Sequence, residues 1–304
     1  MIEAKALTKR YGVHLALDGV TFNAAPGEIL GLLGPNGAGK TTTMRILTGY
    51  MPPSSGTATV AGFDVLDDSM EVRRRVGYMP ERVPIYPDMT VQGYVMFWAR
   101  LRGVRKAKAR VDEVLERVRL TERRNSLLRN LSKGLVQRLG LAQALVHEPD
   151  VVILDEPTIG IDPQQVIEVR EYVRQLGRDH TVLFSTHILS EAEQVCDRVV
   201  IINKGRLMAE GKPEALRRQL DPGDHIYVMV RGEVKRVRGV LEKIAGVERV
   251  ETNGPGFSVR AKKGTDVRAR IAEGVAAANL PLIEMRPVAM TLEDIFLDIV
   301  GREG

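Results

Sequence analysis

The chain has 304 residues, 44% of them hydrophobic and 27% charged, with a formal net charge of +5. That balance excludes a disordered or low-complexity chain, and the length is that of about two globular domains with ample material for cores. The mild positive excess fits phosphate ligands, a membrane surface or nucleic acid, and selects none of them.

In chain order, Met1 leads directly into strand-like sequence without the apolar run and cleavage site of a signal peptide. The opening segment reads as short strands joined by turns, hence a small antiparallel sheet. Residues 29–33 form an apolar strand that runs into Gly34-Pro35-Asn36-Gly37-Ala38-Gly39-Lys40-Thr41-Thr42, with a helix expected over 40–48. This segment matches G-x-x-x-x-G-K-[ST], placed between a strand and a helix. Its glycines let the backbone curl so that several N–H groups point at one anion, and no β-carbon blocks the approach. The following helix offers its positive end to phosphate. Lys40 reaches the β- and γ-phosphates and the Thr41 hydroxyl is placed to hold Mg²⁺.

Residues 90–145 change character, with helices expected over 91–101, 109–120 and 137–147 as an insertion between two core strands. The basic run 100–110 reads as a solvated helix end and turn. Next comes an apolar strand over 151–154 that ends in Asp155-Glu156. Ligands of open α/β sheets bind beyond the carboxyl ends of strands. Asp155 there can bind Mg²⁺, and Glu156 can polarise an attacking water. A third strand, 181–185, carries Ser, Thr and His187 at its carboxyl edge, so His187 can reach the γ-phosphate or the water. Such fully apolar strands alternating with helices argue for a parallel sheet covered on both faces. None of the apolar runs approaches the roughly 20 residues that span a bilayer. Cys196, the single cysteine, excludes an internal disulfide and reads as a buried structural thiol in a reducing compartment.

After Glu210 the pattern resets. A turn cluster at 221–224 serves as a linker, followed by strand, helix, two strands, helix and strand up to residue 287. This βαββαβ order is that of a ferredoxin-like α+β unit. An amphipathic helix over 292–300 closes the chain. The expected division is 1–220 and 221–304.

Residues Leu131-Ser132-Lys133-Gly134-Leu135-Val136-Gln137-Arg138 resemble the LSGGQ signature of ABC (ATP-binding cassette) ATPases, and with the P-loop and the acidic strand they cover residues 2–215. The resemblance implies an α/β P-loop core with a small antiparallel β subdomain and a helical insertion. It implies an ATPase using ATP and Mg²⁺ as the nucleotide-binding subunit of an ABC transporter. Tyr11 then matches the residue that stacks on adenine, and Ser132 and Gly134 match signature residues that contact the γ-phosphate held by a second cassette. Asp162 matches the D-loop aspartate, His187 the switch histidine, and Glu156 the catalytic carboxylate assisted by Lys40. The family's glutamine after the strand preceding the insertion is replaced by Glu81, which can still ligate Mg²⁺ or hold water. In the signature, Lys133 replaces glycine and Leu135 replaces glutamine.

The S-K-G signature, Glu81 and the ending 291–297 resemble the exporter branch whose membrane partners are ABC-2-type permeases. The implied assembly is a head-to-tail dimer of cassettes, homodimeric or with a related cassette, cytoplasmic and peripheral on the inner face of the membrane. The aromatic residues Tyr86, Tyr94, Phe97 and Trp98 look exposed and fall where the family docks its membrane subunit, and any one of them reads equally well as part of an aromatic cluster in the core of the helical insertion. A soluble ABC ATPase acting on nucleic acid or ribosomes is the rival; such proteins commonly fuse two cassettes or carry a long coiled coil, so no nucleic acid is expected here.

Overall fold

The structure, a computed structural model, describes residues 1–220, 225–262 and 265–287. The chain divides into two compact units, Met1–Pro213 and the residues from Glu214 on. The 221–224 linker and the 292–300 helix lie outside the described residues.

The first unit opens with β1 (Ile2–Tyr11) and β2 (His14–Ala24), an antiparallel pair turned at Gly12, whose φ of 56° suits glycine. Then follow β3 (Ile29–Leu33), α1 (Lys40–Leu47), β4 (Ser55–Val60), β5 (Phe63–Asp64), α2 (Ser69–Arg75) and β6 (Val76–Met79). Strand β4 returns to pair with β1, so among the described residues the antiparallel sheet runs β2-β1-β4-β5. The opening sequence therefore supplies only half of that sheet; the rest comes from beyond the P-loop helix.

The helical insertion holds α3 (Val91–Leu101), α4 (Ala107–Arg117) and α5 (Lys133–Leu145). Helix α5 starts earlier than the sequence pattern indicates, because the Ser132 hydroxyl accepts from Leu135 N and caps it. Within the basic run, Arg110 is not solvated. It is 8% exposed, donates to Leu145 O at 2.9 Å and pairs with Glu113 Oε1 at 2.8 Å, tying α4 to the end of α5. Of the two aromatic readings Tyr94 takes the core one, being fully buried with its hydroxyl on Pro84 O and Gln143 Oε1. Tyr86 and Phe97 are exposed.

The remaining elements of this unit are β7 (Val151–Asp155), α6 (Pro163–Leu176), β8 (Thr181–Thr186), α7 (Leu189–Val195), β9 (Arg198–Asn203) and β10 (Arg206–Gly211). Among the described residues the second sheet runs β10-β9-β3-β8-β7-β6, parallel except for β10. Every residue of β3, β7 and β8 is buried, which is why the stretches 29–33, 151–154 and 182–184 within them read as apolar runs. Helix α1 fills the space against both sheets with Met44, Ile46 and Leu47. On the opposite face, a Cβ at Gly31 would stand 2.9 Å from Cys196 Sγ, so glycine makes room for the buried cysteine. Burial pushes that thiol well up, and it packs as a small apolar group.

A helix, α8 (Pro213–Leu220), spans the division. The second unit continues with β11 (His225–Val230), α9 (Val234–Leu241), β12 (Val247–Asn253), β13 (Gly256–Ala261), α10 (Arg268–Ala277) and β14 (Leu282–Pro287). The antiparallel order β12-β13-β11-β14 is the ferredoxin-like arrangement, and Ile226, Val228, Val259, Val237 and Ile271 fill its own core.

Candidate nucleotide-binding site

The carboxyl ends of β3, β7 and β8 are neighbours in one sheet, so the P-loop, Asp155-Glu156 and His187 converge on one edge. The P-loop is shaped by close approaches that only glycine permits. A Cβ at Gly34 would lie 2.3 Å from Ile202 O of β9, and one at Gly39 would lie 2.8 Å from Ala16 O of β2. Gly39, at φ 111°, also forms the left-handed entry to α1. Behind the loop, the β9–β10 turn is fastened by Gly205 N donating to Ala38 O at 2.9 Å.

The resulting cleft has a volume of about 380 Å³. It is lined by the P-loop residues Pro35, Asn36, Gly37, Gly39, Lys40, Thr41 and Thr42, together with Glu81 and Glu156. Tyr11 also lines it, 44% exposed, with its hydroxyl on Met51 Sδ at 3.0 Å and Lys9 Nζ 5.4 Å from its ring centre. His14, Ala16 and Ile159 also line the cleft. Nothing in the sequence singles them out, since they arrive through the β1–β2 turn and the loop after Glu156.

Within the cleft, Lys40 Nζ donates to Gly34 O at 2.6 Å and lies 3.3 Å from Glu156 Oε1. His187 Nδ1 stands 2.9 Å from Glu156 Oε2. Glu156 itself sits at φ 50°, a left-handed conformation that costs a non-glycine residue about 1–2 kcal/mol. Its backbone N–H donates to Ser185 Oγ at 3.0 Å, and the same hydroxyl donates to Asp155 Oδ1 at 2.8 Å. Ser185 thus orders both acidic residues, a role its place in an apolar strand does not announce.

Asp155 is 1% exposed, and its Oδ2 has no hydrogen-bond partner among the described residues. Burial raises its pKa, the Ser185 and Thr41 hydroxyls hold it down in part, and the Glu156 and Glu81 charges push it further up. A buried carboxylate with a bare oxygen, facing the Thr41 hydroxyl, is suited to a divalent cation. Among the described residues no cluster of three or more His, Cys, Asp or Glu side chains gathers as a cage. One carboxylate, one hydroxyl and the phosphates of a nucleotide form the donor set that Mg²⁺ prefers. The residues fit Mg·ATP.

Ser132, Gly134 and Asp162 do not line this cleft. Asp162 caps α6 by accepting from Gln165 N at 3.0 Å, while a Cβ at Gly134 would fall 1.6 Å from Gln165 Oε1. A Cβ at Gly160 would meet Lys133 Nζ at 2.0 Å, so Lys133 lies folded over that glycine of its own chain. The signature and D-loop segments therefore pack on each other, apart from the P-loop of the same subunit.

Comparison with known proteins gives the family. A family model described as "ABC transporter" matches residues 17–159. The chain is 38% identical to the Nod factor export ATP-binding protein I of Paraburkholderia xenovorans (strain LB400), over 99% of this chain and 97% of that protein. It is 33% identical to the linearmycin resistance ATP-binding protein LnrL of Bacillus subtilis (strain 168), over 99% of both chains. Among solved structures, an ATP-binding subunit of an ABC transporter superposes with a TM-score of 0.66 at 34% identity, over 72% of this chain and 92% of that one. A dimeric post-hydrolysis cassette bound to ADP and Pi gives 0.65 at 25% identity, over 70% and 98%. The P-loop, the acidic strand end and full-length similarity together place this chain in the ABC transporter family, as an ATP-binding and ATP-hydrolysing subunit that uses Mg²⁺.

Proposed function

We propose that this chain is the ATPase of an ABC-2-type exporter, with Glu156 as the group that activates the attacking water. The observation that carries the assignment is the Lys40–Glu156–His187 chain of contacts at the mouth of the P-loop. Lys40 has a carboxylate to neutralise it inside the protein, and a nucleotide's phosphates offer a stronger partner. When Lys40 turns to them, Glu156 is released to take a proton from water, with His187 holding its other oxygen. Thr41 and Asp155 would hold Mg²⁺, which when bound would supply neutralisation of the phosphate charge. Glu81, which lines the same cleft, is placed to serve the same metal or its waters, and Tyr11 stacks on the base.

Ser132 and Gly134, which stand away from the cleft of their own subunit, serve the γ-phosphate bound by a second cassette arranged head to tail. Export is supported by relatives named for Nod factor export and linearmycin resistance. The exposed Tyr86 and Phe97, at the start of the helical insertion, offer a docking place for the permease. No helix among the described residues is long and apolar enough to cross a membrane, so the reading places the chain on the cytoplasmic face, carried there by its permease. We assign 1–220 to the cassette and 221–304 to an accessory domain.

The decisive variant is Glu156→Gln. It is expected to bind Mg·ATP, to hydrolyse it at least about a hundredfold more slowly, and to accumulate as an ATP-bound dimer in light scattering. Wild-type turnover in that variant removes Glu156 from the mechanism.

A further inference from the structure

Glu191, on α7, is 1% exposed and faces no part of the nucleotide cleft. Its Oε2 accepts from Thr158 Oγ1 at 2.6 Å and from Thr186 Oγ1 at 3.1 Å, while Oε1 lies 3.3 Å from Arg170 Nη2 of α6. The two threonines are not arbitrary partners. Thr158 is two residues beyond Glu156, in the turn that holds Glu156 at its left-handed φ. Thr186 immediately precedes His187, and its hydroxyl also accepts from Ile188 N at 3.0 Å, closing the backbone around the histidine.

We infer that Glu191 is a positioning residue for ATP hydrolysis, a single buried carboxylate that sets the distance between Glu156 and His187. The inference rests on the reading of Glu156 as the group acting on water. Burying a carboxylate costs several kcal/mol of desolvation, and apolar side chains of similar volume commonly stabilise as well. Fold stability alone thus gives no reason for an acid at this point. The geometry supplies one, because both oxygens of one rigid group are spent on the turn carrying Glu156, the strand end carrying His187 and the helix that follows the D-loop segment. Ser185 holds Glu156 from the strand side; Glu191 holds the turn from the other. Arg170, also bonded to Gln194 Oε1 at 2.9 Å, holds the carboxylate in place from the α6 side.

The test is steady-state hydrolysis of Mg·ATP by the purified full chain, well below its unfolding temperature, with nucleotide binding and Tm measured alongside. Thr158→Val and Glu191→Gln are expected to lower kcat by about ten- to a hundredfold while the Kd for ATP stays within about twofold, since small misplacements of reacting groups act on rate. Thr158→Ser, which restores the hydroxyl, is expected to recover most of the rate. A wild-type kcat in both Thr158→Val and Glu191→Gln, with only Tm lowered, overturns the inference and leaves Glu191 a fold residue. Glu156→Gln serves as the control: if it turns over normally, the parent reading fails in a variant that leaves Glu191 untouched.

Discussion

Asp155 shows how one buried side chain trades stability for function. Its Oδ2 has no hydrogen-bond partner among the described residues, and burial holds its pKa above the usual carboxylate range. For a carboxyl whose folded pKa is raised, the sign is unfavourable: above the unfolded value the charge destabilises the fold, and protonation at lower pH relieves that cost. Asp155→Asn keeps the Ser185 contact and removes the charge. It is expected to stabilise the nucleotide-free protein by about 1–2 kcal/mol in thermal or urea unfolding. The same variant is expected to lose the extra stabilisation that Mg²⁺ gives ATP-bound wild type. A destabilised variant, or one that keeps its Mg²⁺ response, contradicts the metal-ligand assignment.

At the scale of elements, the helical insertion is joined to the parallel sheet through the short segment after α5. His147 Nε2 stands 3.1 Å from Val76 O at the start of β6, and its Nδ1 is buried without a partner among the described residues. Burial foremost, and then the nearby Arg102 charge, lowers its pKa to about 4 from 6.5. A histidine depressed in this way contributes stability in its neutral form, fully present above the unfolded value and lost as pH falls from about 6.5 toward about 4. His147→Asn retains a donor for Val76 without the titration. The difference in Tm between wild type and this variant is expected to shift against wild type as pH drops through that window. A difference that stays flat with pH places the acid sensitivity elsewhere.

At the scale of the whole molecule, a single chain carries one P-loop cleft and one signature segment that lies apart from it. In the proposed head-to-tail pairing each complete site comes from two subunits, and this can be tested by mixing. Lys40→Ala damages only the P-loop half and Ser132→Arg only the signature half. Each is expected to be inactive alone. Mixed in equal amounts, half the dimers are heterodimers with one intact site, so turnover is expected to rise toward about a quarter of wild type. If the mixture stays as inactive as its components, the composite-site arrangement is wrong.

Much of this protein is legible along the chain, because some chemistry is local. The P-loop announces itself through Gly34, Gly39, Lys40 and Thr41, since a backbone curled around an anion needs those residues in one short run. The strands over Ile29–Leu33, Val151–Asp155 and Thr181–Thr186 are visible because burial on both sheet faces gives each a central apolar run. What the linear order does not contain is who stands beside whom. Half of the first antiparallel sheet comes from β4 and β5, beyond the P-loop helix; Tyr94 reads as surface or core alike until α5 covers it; Arg110 looks solvated until α4 meets the end of α5. Ser185 and Glu191 are invisible as functional residues for the same reason. A hydroxyl in a strand or an acid on a short helix acquires meaning only when the sheet order sets β7 beside β8 and α7 against both loops, because hydrogen bonds act over a few ångströms of space and take no account of distance along the chain.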